Sequence, residues 1–146
     1  VALAHALKML EKSARSIAEI ERALRDRGHE DGEVQEVIEK LRSYGYLDDQ
    51  GVAAMEKERT IDRQKYGKGR LIQRLEQRGI EGDAISDQLE TLTDEAELSR
   101  AMAAIEQRDP ARSQAVGKIA RWLAGRGFDE EIIEGALDQA YPEWRD

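Results

Sequence analysis

The stretch Ser16-Ile17-Ala18-Glu19-Ile20-Glu21-Arg22-Ala23-Leu24-Arg25-Asp26-Arg27-Gly28 holds the start, the inner stripe and the end of one helix. Ser16 and Glu19 have capping-box spacing, in which each side chain satisfies the other's orphan backbone N–H. Ile20 and Leu24 lie four apart and so share a face. Gly28 stands at the C′ position, where a helix stops in the left-handed conformation. The pattern recurs twice. Leu24, Leu75 and Leu123 each precede an Arg-Gly pair: Arg27-Gly28, Arg78-Gly79 and Arg126-Gly127. Ile20, Leu71 and Ile119 stand four residues earlier, and Val34, Ile85 and Ile133 six residues after each glycine. A period of roughly 50 residues is tandem-repeat spacing.

Working outward, the punctuation predicts nine helices. The first runs near Ala2–Glu11, the second from Ser16 to Gly28, and the third from Asp31 or Glu33 to Tyr44. Asp48 or Asp49 caps a fourth that reaches about Lys65. The fifth spans Gly69–Arg78, after a Tyr66-Gly67-Lys68-Gly69 turn. The sixth spans Asp83–Leu92, and Asp94 caps a seventh to about Gln107. Asp109-Pro110 opens the eighth, since proline is harmless at the first helical position, and the ninth spans Asp129–Tyr141. The expectation is an all-α protein: three tandem three-helix repeats, residues 1–45, 46–92 and 93–146, forming an elongated, curved array whose units stack on their neighbours.

Composition bounds the function. Charged residues are 37% of the 146 and aromatics only 5%, which suits an extended helical array with much wet surface. There is no cysteine, hence no disulfide framework, in keeping with a cytoplasmic location. No apolar run has the length of a membrane span, and the first residues do not resemble a signal peptide. The chain begins at Val1 rather than Met, so the full gene product is expected to be longer. His5 and His29 are isolated in sequence, no catalytic or phosphate-loop motif is present, and no metal or cofactor is expected.

The net charge of −8 argues against a dedicated nucleic-acid binder. Its distribution is uneven. Glu56 to Arg78 carries eight basic and four acidic residues, a local +4 that leaves −12 for the rest. Arg63, Lys65, Lys68, Arg70, Arg74 and Arg78 straddle a helical corner, and the last three recur every four residues, on one helix face. They are the candidate contact surface, for nucleic-acid phosphates or an acidic protein groove. Arg22, Arg25, Arg121 and Arg126 mark the corresponding surfaces of the outer repeats. The Arg-Gly pairs have a plainer role, because arginine in a last turn complements the helix dipole. Trp122 reads as core between units.

In order along the chain, these motifs resemble the bacterial RecX regulatory proteins. Ser16-Ile17-Ala18-Glu19-Ile20 resembles the family's S-R-x-E-L opening, and Leu24 to His29 its K-L-x-x-R/K-G run. Gly45-Tyr46-Leu47-Asp48-Asp49 matches its G-Y-L/I-D/N-D segment. Tyr66 to Leu71 is similar to Y-G-P-x-R-I, and Ile119 to Phe128 to a final L-x-R-R-G-F. Departures are Val52-Ala53 where F-A is usual, Glu56-Lys57-Glu58 where apolar and basic residues are common, Lys68 for the proline, and one extra residue before Tyr66. The resemblance implies a non-enzymatic modulator, usually an inhibitor, of the RecA recombinase, acting in DNA repair and the SOS response. It would be a monomer lodged in the groove of the RecA–DNA filament, restraining strand exchange, ATP hydrolysis and coprotease activity, with weak DNA binding besides. A helical DNA-binding protein and a scaffold for an unrelated partner are the alternatives.

Overall fold

A computed structural model describes residues Val1–Asp146. It is all-α: α1 (Ala2–Lys12), α2 (Ile17–Asp26), α3 (Asp31–Ser43), α4 (Asp49–Lys57), α5 (Lys68–Gln77), α6 (Asp83–Leu89), α7 (Asp94–Arg108), α8 (Val116–Gly125) and α9 (Glu130–Ala140), with a π turn at Glu58–Arg63 after α4. Three separate apolar cores result. Ile20, Leu24, Val34 and Leu41 centre the first; Leu71, Leu75 and Ile80 the second; Ile105, Ile119, Leu123 and Ala136 the third. The leucine before each Arg-Gly pair, and the isoleucine or leucine four residues before it, are completely buried. Each such side chain contributes about 1.5–3 kcal/mol by leaving water, but cores this small hold only with their neighbours' help. The surface of 8790 Å² exceeds the roughly 7,500 Å² of a compact chain of this mass, as an extended array requires.

The repeats join end to end through their middle helices, in reverse of chain order. The C-terminus of α5 abuts the N-terminus of α2: Ser16 Oγ donates to the Arg78 carbonyl at 2.5 Å, and the Arg78 guanidinium grips Glu19 at 2.8 Å. The C-terminus of α8 likewise abuts the N-terminus of α5. Gly67 N–H donates to the Arg126 carbonyl at 2.8 Å and Gly69 N–H to that of Gly127 at 2.9 Å. A side chain at Gly67 would place its Cβ 2.5 Å from the Gly127 carbonyl oxygen, so only glycine permits this approach. The orphan N–H groups of one helix start are thus met by the orphan carbonyls of another helix end, and the dipoles align head to tail.

Several boundaries differ from those expected. Ser16 and Glu19 do form the capping box, and Asp48 caps α4. Thr93, not Asp94, caps α7. The fourth helix does not run as α-helix to Lys65: it gives way at Glu58 to the π turn, where Gln64 N–H reaches back five residues to Arg59. A π turn holds one residue more than an α turn, the local geometry that an extra residue before Tyr66 would call for. The eighth helix begins at Val116, not at Pro110. Asp109 is buried and accepts from the Ser113 and Gln114 amides at 2.9 and 3.0 Å and from the Tyr141 hydroxyl at 2.6 Å. This clasp bends residues 109–115 into a loop, with Arg112 at a left-handed φ of 54°, and ties it to the end of α9.

Burial alone would raise the Asp109 carboxyl, but the bonds from Tyr141 and the two amides outweigh it and hold its pKa below the usual aspartate value. The Tyr141 hydroxyl is pushed up to about 12 by burial and by Asp109. Because the folded-state pKa of Asp109 is depressed, its stabilisation is complete above the unfolded aspartate value, about 4, and is lost as pH falls through the folded value. Thermal midpoints from about pH 7 to about pH 3 should therefore drop more steeply for the parent than for Asp109→Asn, the two curves converging in acid. Parallel curves would show that the clasp does not titrate. Gly67→Ala should destabilise the chain by about 2–3 kcal/mol through the clash at the α5–α8 junction, read from urea unfolding.

Candidate partner-binding interface

The junction between the second and third cores carries the densest arrangement of cations and aromatic rings in the molecule. Two backbone features place it. The π turn shifts the register of the chain leaving α4, and Lys65 then adopts a left-handed φ of 60°, which strains a non-glycine residue by about 1–2 kcal/mol. Tyr66 follows, its N–H bonded to the Thr60 carbonyl at 3.0 Å. The guanidinium carbons of Arg126, Arg70 and Arg74 lie 4.5, 4.8 and 5.0 Å from the centre of the Tyr66 ring. Arg126 also lies 5.0 Å from the Trp122 ring, with Arg108 at 5.0 Å from the same ring. Cations at such distances are drawn to the ring face, by about 0.5–1 kcal/mol each where exposed.

Beside these rings opens a cleft of about 620 Å³, lined by Lys65, Ala103, Ala104, Gln107, Arg108, Trp122 and Arg126. No carboxylate lines it. Burial lowers the pKa of Arg126, the nearby Tyr66 opposes this and Arg70 adds to it; the guanidinium still carries its charge, because arginine does not lose its proton in proteins. The Arg126 side chain donates to the Gln64 carbonyl at 2.7 Å, while its Nε is hidden from solvent without an acceptor. The cleft is therefore a fixed cationic wall with a half-buried indole in it. It can take an anionic group, and the exposed Lys65 and Arg108 can reach a partner.

The structure brings Lys65, Arg70, Arg74 and Arg126 together around Tyr66 and separates the other sequence candidates from them. Arg78 is not on a free face with Arg70 and Arg74. It caps α5 and is committed to Glu19 and the Ala14 carbonyl across the first junction. Arg70 bonds the Gly125 carbonyl across the second junction. Arg74 donates to Thr60 Oγ1 at 2.8 Å and to Gln64. Thr60 in turn donates to the buried Glu56, which Arg59 holds with two bonds. Arg63 pairs with Glu58 at 3.1 Å, and Arg25 with Asp31 at 3.0 Å and Glu21 at 3.4 Å. The Lys68 amide donates to the buried Glu97 of α7. Arg22 and Arg121 are exposed at the outer repeats. Tyr66, Trp122 and Arg108 were absent from the sequence candidates. Trp122 packs on the third core but is only half-buried, with the cleft on its other side. The spacing Tyr66, Arg70, Arg74 was the one available sign of a ring facing cations.

Comparison with known proteins places this geometry in a family. A profile of the first three-helix domain of RecX matches residues 2–41. The regulatory protein RecX of Halorhodospira halophila is 31% identical over 142 residues, covering 92% of this chain and 85% of its own. That of Pelodictyon phaeoclathratiforme is 30% identical over 141 residues, covering 93% and 86%. The chain belongs to the RecX family of regulatory proteins. The fold agrees: a crystal structure of RecX from Lactobacillus salivarius superposes with a TM-score of 0.82 at 21% identity over 95% of this chain and 94% of that one. Another regulatory protein RecX superposes with a TM-score of 0.80 at 26% identity, over 94% of this chain and 71% of that one. No helix of this RecX-family chain is long and apolar enough to cross a membrane.

If the Tyr66 ring holds its arginines through its π face, Tyr66→Phe should keep the stability of the parent within about 0.5 kcal/mol. Tyr66→Leu, of similar apolar size, should lose about 1–2 kcal/mol. Equal unfolding midpoints for the Phe and Leu variants would reduce Tyr66 to packing alone.

Proposed function

We propose that this chain binds a RecA recombinase filament and restrains it, slowing ATP hydrolysis, strand exchange and coprotease activity, as a regulator within DNA repair and the SOS response. The family membership supports the partner, and the Tyr66–Trp122 cleft is the observation that carries the site. Residues 1–45, 46–92 and 93–146 act as three stacked units long enough to bridge neighbouring subunits of a filament. Lys65 and Arg108, exposed beside the cleft, meet carboxylates of the filament, while Arg70, Arg74 and Arg126 hold the wall in shape. The effect is steric and electrostatic, and no step of it needs catalysis or a cofactor. The acidic remainder of the surface disfavours a long track of naked DNA, because like charges repel over about a Debye length.

RecA-dependent ATP hydrolysis on single-stranded DNA, with the chain titrated in, tests this. Inhibition is expected at concentrations that leave naked DNA unbound, and Lys65→Glu with Arg108→Glu should weaken it at least about tenfold, a loss of roughly 1.4 kcal/mol. Undiminished inhibition by the double variant would remove the cleft from the interface. No inhibition by the parent would sink the recombinase reading.

One observation favours a second reading. A half-exposed indole among cations is also how proteins hold single-stranded nucleic acid, stacking a base while the charges meet the backbone. It predicts that an oligonucleotide quenches Trp122 fluorescence and that affinity falls steeply with salt.

A further inference from the structure

We propose that the first repeat carries an oligophosphate site, a concavity of about 410 Å³ that takes a chain of two or three phosphate groups among His5, Lys8, Lys12, Arg15 and Arg27. Lys8 and Lys12 stand one turn apart on α1, Arg15 follows it, and Arg27 enters from the end of α2. Met9 is the only other lining residue, and no carboxylate lines the concavity. Eight of the sixteen arginines of this acidic chain have acidic partners: Arg25, Arg42, Arg59, Arg63, Arg78, Arg100, Arg112 and Arg145. The four cations of the concavity form no ion pair at all. Arg15 Nε is shielded from solvent and has no acceptor, whereas buried donors in folded proteins are nearly always satisfied. Arg27 is the first copy of the Arg-Gly connector. The Arg78 guanidinium donates to Glu19 at the start of α2 and that of Arg126 to the Gln64 carbonyl just before α5, while Arg27 is exposed and its side chain bonds nothing.

The chemistry of the lining narrows the ligand. A protein segment would need apolar anchors, and Met9 alone offers one. A nucleic-acid strand would need stacking rings for successive bases, and the one ring in the lining is His5, which is engaged with His29 at 5.2 Å between ring centres. A compact polyanion requires neither, and converging cations suit it. His5 adds a proton to the account. His29 Nδ1 lies 3.2 Å from Glu33 Oε1 and must carry hydrogen to bond it. In the neutral His29 ring, Nε2 is then the acceptor for His5 Nδ1–H at 3.0 Å, which leaves His5 Nε2 with a free lone pair. Burial, then Arg27, His29, the Val1 amino group and Lys8 hold His5 below its ordinary pKa. Glu33 on α3 reaches it only through His29. A bound phosphate chain reverses this balance and favours the protonated ring.

Calorimetry with sodium tripolyphosphate in a low-salt, phosphate-free buffer tests the site on the whole chain, independently of any recombinase. One ion per chain should bind, and Lys12→Ala with Arg27→Ala, both exposed positions, should weaken it at least about tenfold. Arg42→Ala, a distant surface cation, should leave it unchanged. ATP should bind within about threefold of tripolyphosphate, since His5, engaged with His29, is the only ring in the lining and no further side chain there would hold a base; a much larger preference for ATP would overturn recognition by phosphate alone. No heat at millimolar ligand, or parental affinity in the double variant, would overturn the site. Tighter binding of a single-stranded oligonucleotide through the same two residues would reassign it to nucleic acid. In proton NMR the His5 ring should titrate at higher pH with tripolyphosphate present than without it, and an unmoved midpoint would remove His5 from the site.

Discussion

Everything in this array depends on the meeting of helix ends. α8, α5 and α2 each carry unbonded carbonyls at one end and unbonded amides at the other, and at two junctions the end of one helix meets the start of the next. The contact is close enough that backbone touches backbone at Gly67, Gly69 and Gly127. At the first junction the same task falls to side chains, with Ser16 and Glu19 receiving the Arg78 carbonyl and guanidinium. Two chemically different solutions therefore produce one geometry. Small residues at the helix start and an Arg-Gly pair at the helix end are what the two junctions share.

That constraint decides how the charges are distributed. Guanidiniums placed at helix ends to join repeats are unavailable to a partner, which is why Arg70 and Arg78 face inward across the junctions. Where a junction also brings aromatic rings, as at Tyr66 and Trp122, the same cations become one wall of a cleft. Where no junction exists, at Arg27, the motif is left with an unbonded guanidinium beside other unpaired cations. A single motif thus takes three roles according to what lies against it.

Much of this was legible in the residues. The leucine before each Arg-Gly pair, and the isoleucine or leucine before that, form the three cores because a 3.6-residue period admits no other face. The Ser16 capping box and the glycine stops were equally local. Boundaries failed where a distant group intervened: Tyr141 lies 32 residues from the Asp109 that it helps to hold in a loop, and no reading of Asp109-Pro110 alone could anticipate it. The candidate site was partly legible. The basic stretch from Arg63 to Arg78 was visible as charge, but Trp122 and Arg108 join it only because α7 and α8 pack there. Glu56, part of a departure from the family pattern, is buried, its carboxylate bonded by the buried Thr60 and the exposed Arg59.

The sequence by itself determined the helices, their inner faces, the threefold repetition and the family, because each follows from short-range periodicity and motif order. Tertiary structure alone decided which arginines are connectors and which can meet a partner. The two kinds are identical in sequence, and a guanidinium's role is set by the carbonyl, carboxylate or ring that packing brings within hydrogen-bonding or stacking distance.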